Sequence, residues 1–305
     1  MVNLRISCTI AFFPVTPIIN SAAVVCNDAG GANQILAMIS AGHINVKSAY
    51  LRGPALKLSS GIISEDKYVS SVEHALQNAS TVVTGTGWGD LEHLTRSLAM
   101  QQGIFSIAVL DHWINYAARF ERRGKIILPD ELWVVDEYAM EIARDIFPDV
   151  CIKLQKDYYA EQQISQIKPF ENVVNNELLY LLEPFSSNWG LGELGEFQAL
   201  RYFLMNLKKI NLPDVARISL RLHPSDLPDK YIDFLSNAHP WPVTFDTGTL
   251  SEAISRSKWV AGCQTYALTL ALRAGRIVYG TLPPWAPPCV LPHTGIIHIK
   301  DLEIS

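Results

Sequence analysis

Short apolar runs alternate with helix-length segments from Ala22 almost to the end of the chain. The run Ala22–Cys26 is compact, and Asn33–Ser40 behind it carries apolar residues at helical spacing. The same alternation predicts strands at Asn45–Leu51, Thr81–Thr84, Phe105–Leu110 and Leu132–Val135, and helices at Val69–Gln77, Asp90–Gln102 and Glu137–Ile146. Tyr158–Asn176 is polar, helical at first and loop-like around Pro169, and reads as a bridge. The pattern then restarts. Strands are expected at Glu177–Glu183, Ile218–Leu222, Val243–Phe245, Trp259–Ala261 and Ile277–Tyr279, and helices at Glu193–Lys209, Asp229–Asn237, Leu250–Ser257 and Thr265–Ala274. Apolar runs without strict alternation suit strands buried on both faces, hence parallel sheets with crossover helices. The expected fold class is therefore α/β, with two Rossmann-like doubly wound domains facing a cleft. The first would cover residues 1–165 and the second 166–305. Ligands of such folds bind at the carboxyl ends of strands, so functional residues belong in the turns that follow them.

Length agrees, because 305 residues make two domains at roughly 150 each. With 49% hydrophobic and 18% charged residues the chain can bury substantial cores, which excludes a disordered or low-complexity protein. A net charge of -5 argues against a nucleic-acid partner, which usually needs a dense basic stripe, and leaves room for a local anion site. The five cysteines, Cys8, Cys26, Cys151, Cys263 and Cys289, are scattered, which suits free thiols in a reducing compartment and neither a zinc site nor a disulfide frame. Near the start, Ile10–Ile19 is broken by Pro14, Thr16 and Pro17 and cannot span a bilayer. Met1–Ser21 can be read as a signal peptide or as an N-terminal strand and loop. The second reading is preferred, because cleavage near Ala22 would fall at the edge of the next strand. The cytoplasm is the expected location.

Five turns could carry chemistry. Asn27–Asn33, after the first strand, holds Asp28 as a candidate general base, with Gly30 and Gly31 letting backbone approach a ligand at a helix N-terminus. Asp28 could equally cap the helix, and the glycines serve a tight turn. Thr84–Asp90 contains three glycines, which could bind a polar ligand or form a flexible lead into a helix capped by Asp90. Leu110–Tyr116 brings Asp111 and His112 together after a strand, as a base or as donors to a sugar or phosphate. Arg119, Arg122, Arg123 and Lys125 follow, and could hold an anionic head group or form a solvated basic face. In the second half, Pro224 keeps His223 in an extended backbone at a strand mouth. Gln264 and Thr265 open a helix suited to a phosphate, and Ser186 and Ser187 could reach the same place; capping alone could also explain Thr265 and the serines.

With those residues in view, the second half resembles the nucleotide-sugar domain of GT-B glycosyltransferases, in the stretch Leu250–Gly280 with its helix, strand, small-polar loop and helix. Arg221-Leu222-His223-Pro224 is similar to the His-Pro motif of bacterial sialyltransferases and related capsule enzymes. The resemblance implies that His223 contacts the donor's phosphate or cytidine, that Thr265 with Gln264 binds phosphate, and that Asp28 matches the catalytic base. Here Asn27 replaces one of the family's two acids and Ala29 is inserted before the glycine. Leu270 stands where many GT-B enzymes carry a ribose-binding glutamate, which suits a CMP-sugar better than a UDP- or ADP-sugar.

The function these features imply is an inverting, metal-independent glycosyltransferase that uses no further cofactor and moves a sugar, foremost a CMP-linked acidic one, from a nucleotide donor to a glycan or lipid-linked acceptor. The N-terminal domain would take the acceptor side and the C-terminal domain the nucleotide-sugar side. A peripheral membrane contact is compatible with that acceptor. Two other functions use the same features: a nucleotide-sugar epimerase or hydrolase, and a non-catalytic nucleotide-sugar-binding protein.

Overall fold

The computed structural model describes residues 18–173, 176–185, 187–210, 212, 217–224, 226–236 and 242–303. The chain forms two compact units that divide after Tyr159.

In the first unit a six-stranded sheet has the order β2-β1-β3-β4-β7-β8, with every neighbouring pair parallel. Its strands are β1 (Ile19–Cys26), β2 (Ile44–Leu51), β3 (Thr81–Thr84), β4 (Phe105–Val109), β7 (Glu131–Val134) and β8 (Cys151–Leu154). A two-residue hairpin, β5 (Glu121–Arg122) with β6 (Lys125–Ile126), stands apart from it. The helices are α1 (Ala29–Ser40), α2 (Gly53–Leu58), α3 (Val72–Leu76), α4 (Asp90–Gln102), α5 (Tyr116–Phe120), α6 (Glu137–Ile146) and α7 (Tyr158–Ser165), the last carrying the division between units.

The apolar run of β1 explains the layering. Ala22, Val24 and Cys26 share a buried cluster with Ile35, Leu36 and Met38 of α1. Ala23 and Val25, pointing the other way, pack with Val72, Ala75 and Leu76 of α3 and Ala99 of α4. Successive side chains of a strand serve opposite faces, so a run buried on both faces needs helices on both sides.

The second unit repeats the scheme with the order β11-β10-β9-β12-β13-β14, again parallel throughout. The strands are β9 (Glu177–Leu181), β10 (Arg217–Arg221), β11 (Val243–Phe245), β12 (Trp259–Gly262), β13 (Ile277–Gly280) and β14 (Ile296–His298). The helices are α8 (Gly195–Met205), α9 (Ile232–Ser236), α10 (Leu250–Arg256) and α11 (Tyr266–Arg273). Leu178 and Tyr180 of β9 form one core with Leu200 and Phe203 of α8 and with Ile218 and Leu220 of β10.

Most expected elements are present, with instructive exceptions. The helix expected from Val69 begins at Val72, where Ser71 caps it by accepting the His74 N–H, while the Val69 N–H donates to the Ala49 carbonyl. Strands β8 and β14, at sheet edges, are absent from the sequence reading because half-exposed positions interrupt their apolar runs. Helices α2 and α5 are too short for a helical period to register. Ala22, where cleavage was considered, lies inside β1 and is fully buried. Cys26, Cys151, Cys263 and Cys289 are free thiols, and Cys8 lies outside the described residues. Among the described residues no helix is long and apolar enough to cross a membrane.

Leu178, fully buried, is flanked by Ile218 on one side and Trp259 on the other. Leu178→Ala is expected to cost the second unit about 2–5 kcal/mol, through lost burial and the cavity left behind. Urea denaturation against the parent protein measures it.

Candidate functional site

Each sheet reverses its winding beside its first strand, between β1 and β3 in the first unit and between β9 and β12 in the second. These switch points are where open α/β sheets form ligand crevices at strand carboxyl ends.

In the first unit the turns after β1 and β3 pack backbone to backbone, since a methyl group on Gly31 would meet the Gly85 Cα at 2.8 Å. Asp28 occupies the N-cap position of α1 but makes no capping hydrogen bond. Its Oδ2 accepts the Trp88 N–H at 2.9 Å across the switch point, and its Oδ1 accepts the Asn27 side-chain amide at 2.6 Å. Glycine at position 87 makes this possible, because a side chain there would meet Asp28 Oδ2 at 2.4 Å. Both oxygens of Asp28 therefore hold the two turns together. The room left by Gly30 goes to Asp111, whose Oδ2 lies 1.6 Å from where a methyl group would be. Asp111 thus enters the same crevice from the end of β4.

Unlike Asp28, Asp111 accepts no hydrogen bond from another of the described residues. Its nearest polar partner is His112, with Nε2 3.6 Å from Oδ1 and both side chains about one-fifth exposed. Burial pushes the Asp111 carboxyl up, opposed by the Arg119 guanidinium and reinforced by Asp28. Both ring nitrogens of His112 are buried and without a hydrogen-bond partner. The Tyr116 hydroxyl donates to the His112 carbonyl at 2.7 Å and fixes its backbone.

Beneath these turns lies a buried polar layer. Glu92, fully buried, accepts the Asn27 N–H at 2.8 Å on Oε1, while its Oε2 has no partner. Burial pushes its carboxyl up. Arg96 donates to Thr84 Oγ1 and to the Gly85 and Ile127 carbonyls, and burial lowers its guanidinium to about 10. Helix α4 begins at Asp90 with Gly89 as its cap, so Asp90 does not cap it as expected.

The basic segment does not form one anion-holding face. Arg119 donates to the Thr86 carbonyl at 2.9 Å. Arg122 donates to the carbonyls of Gly87 and Gly89, among others, at 2.7 and 3.1 Å from its terminal nitrogen. Both clamp the glycine turn. Arg123 and Lys125 are exposed on the β5–β6 hairpin.

In the second unit the turn after β9 places Glu183 opposite the turn after β12, where its Oε2 accepts the Gln264 N–H at 2.9 Å. Burial raises its carboxyl to about 7, against the pull of that hydrogen bond. Gln264 Oε1 accepts the Val290 N–H at 3.3 Å, so its side chain is bound to the segment after β13. Thr265 is the N-cap of α11, yet its hydroxyl makes no capping bond. His223 sits at the carboxyl end of β10, its N–H donating to Asp226 Oδ2 at 3.2 Å, with Pro224 exposed beside it. Lys230 bridges Asp226, at 2.6 Å, to Glu196, at 2.9 Å. Glu196 in turn accepts the Phe185 N–H at 2.9 Å, which ties the β10 turn to the β9 turn. Ser187 is exposed and its hydroxyl accepts the Trp189 N–H at 3.3 Å; Ser186 lies outside the described residues.

No family model and no curated protein matches this sequence. Solved structures do. A candidate UDP-N-acetylglucosamine 2-epimerase from Listeria monocytogenes aligns over 85% of this chain and 79% of its own, with a TM-score of 0.58 and 12% identity. Acinetobacter baumannii MurG aligns over 88% and 80%, with a TM-score of 0.51 and 11% identity. The fold is two-domain, Rossmann-like and GT-B in kind. At that identity the likeness concerns the fold alone.

Sequence reasoning missed Glu92, Arg96 and Glu183. The first two look like an ordinary exposed pair one helical turn apart. Glu183 left a signal, an acid directly after an apolar strand, but was absorbed into the strand. Its titration gives a test. Below the usual glutamate range both folded and unfolded states are protonated, so nothing is lost. Above about 7 the unfolded chain is ionised and the folded one bears the cost, so stability falls as pH rises across that window. Glu183→Gln keeps an acceptor for the Gln264 N–H and removes the cost. Its stability advantage over the parent should therefore grow from pH 4.5 to 8, to at most about 3 kcal/mol, in urea denaturation at each pH.

Proposed function

We propose that the protein transfers a sugar from a nucleotide-activated donor to an acceptor hydroxyl, whose proton passes to Asp111. Asp111 carries this reading. Its carboxyl accepts no hydrogen bond from another of the described residues, lies 3.6 Å from the His112 ring and is pushed up by burial, which leaves it able to take a proton from an acceptor hydroxyl. Asp28, the base favoured by the sequence, has both oxygens committed to the Trp88 and Asn27 donors and acts as a positioning residue.

In the proposed step the acceptor oxygen attacks the anomeric carbon as its proton passes to Asp111. The bond between that carbon and the donor's phosphate oxygen breaks, and the electron pair leaves with the nucleotide. One displacement inverts the anomeric centre and, as drawn, requires no metal. In the second unit, the Thr265 hydroxyl and the N-terminal N–H groups of α11, with His223 as a further donor, are suited to a nucleotide's phosphate. The fold likeness to glycosyltransferase-type enzymes supports the class of reaction. The His223-Pro224 pair and Leu270 favour a CMP-linked acidic sugar as donor. An epimerase or hydrolase would use the same Asp111 and His112, and is favoured by the Listeria likeness.

Isothermal titration with CMP, UDP and ADP tests the donor side. At least one should bind, and Thr265→Val should weaken it about tenfold, the loss of one hydrogen bond to a charged group. Binding of none of the three removes the reading. Where transfer is observed, Asp111→Asn should lower turnover by about 10²–10⁴ with nucleotide affinity unchanged. Consumption of a nucleotide sugar without any acceptor would select the epimerase or hydrolase.

A further inference from the structure

We propose that Trp88 is a stacking platform for the pyranose ring of an uncharged acceptor sugar, whose hydroxyls are taken by Asp111 and His112; this rests on the transferase reading above. Trp88 is 53% exposed at the tip of the glycine turn after β3. That leaves apolar indole surface at the switch point which the C–H face of a sugar would cover.

Its surroundings are built to hold it there. Its N–H is anchored by Asp28 at 2.9 Å. The residues on either side, Gly87 and Gly89, are held through their carbonyls by Arg122. One face of the indole is covered by the Arg119 guanidinium, 4.7 Å from the ring centroid, and Arg119 is itself pinned to the Thr86 carbonyl. A rigid aromatic with one face covered and more than half its surface open is suited to a flat apolar partner.

The polar groups nearby choose between partners. Arg119 is 8% exposed with its Nε buried and unpartnered, both ring nitrogens of His112 are unpartnered, and the Asp111 carboxyl lies 3.6 Å from His112 Nε2 and within the field of Arg119. Donors and an acceptor alternate over a short distance. Such a surface matches vicinal hydroxyls, which both donate and accept. An acidic acceptor would place its carboxylate against Asp111 and Asp28. The sugar's C–H face on the indole and its hydroxyls on Asp111 and His112 satisfy both halves of the surface.

Saturation-transfer NMR tests this with methyl β-D-glucopyranoside, methyl β-D-galactopyranoside, methyl α-D-mannopyranoside and methyl N-acetyl-β-D-glucosaminide, and with the methyl glycoside of N-acetylneuraminic acid as the acidic arm. At least one neutral glycoside should receive saturation on the ring protons of one face. That transfer should survive in Trp88→Phe and fall about fivefold or more in Trp88→Ala, the order expected for one lost aromatic stack. Should Trp88→Ala fail to fold by circular dichroism, Trp88→Leu keeps the bulk without the aromatic face and should show the same fall. The proposal is overturned by no transfer to any neutral glycoside, by transfer unchanged in the Ala or Leu variant, or by binding of the acidic glycoside alone. None of these readouts involves a nucleotide, so a failure here and a failure of the transferase reading are separable.

Discussion

In each unit a carboxylate from the turn after the first strand accepts a backbone N–H from the turn beyond the neighbouring strand. Asp28 takes Trp88 in the first unit, and Glu183 takes Gln264 in the second. Winding in both directions from the first strand leaves the two turns at a switch point side by side with no helix bridging them. Their N–H groups point outward at strand ends, where nothing in the sheet can satisfy them. A short acidic side chain solves that problem in both units, and it decides where glycine is required. Gly87 makes way for Asp28, and Gly31 with Gly85 lets the two turns touch.

The consequences differ because the two carboxylates meet different surroundings. Asp28 receives a second donor from Asn27, and the layer of Glu92 and Arg96 beneath fixes the turn it belongs to. Glu183 receives a single N–H and is otherwise desolvated, so its proton is held until near neutral pH. The buried layer under the first crevice is costly, with Glu92 Oε2 and an Arg96 nitrogen unpartnered. Half-satisfied buried charge is tolerated where it positions something, and here what it positions is the pair of turns that carry Asp28 and Trp88.

Much of the scaffold was legible in the chain. The non-alternating run Ala22–Cys26 and its counterpart from Glu177 announce strands with helices on both faces, and the reset after Tyr158 announces a second unit. Edge strands such as Cys151–Leu154 were not legible, because an edge needs only one good face and its apolar run is correspondingly broken. The site was legible by place but not by role. Asp28, Asp111, His112, His223 and Thr265 all fall at strand ends where the pattern puts them. A sequence, however, does not show which carboxylate has its lone pairs occupied. Gly30 and Gly31 can be read from the sequence as room for a ligand or as parts of a tight turn, and in the structure the space beside them holds Asp111 and the Gly85 backbone. Arg119 and Arg122 can be read from the sequence as an anion site or as a solvated basic face, and in the structure both donate to the carbonyls of a glycine turn. Glycine-rich turns lack side chains to brace them, and the long cations downstream supply the bracing.

That last trade changes what the arginines can do. A guanidinium that donates to carbonyls keeps its charge but loses the geometry for gripping an anion. What it still does is electrostatic. Arg119 favours the ionised form of Asp111, against the burial that pushes the carboxyl up. Held to the Thr86 carbonyl, the Arg119 guanidinium also lies against one face of the Trp88 indole.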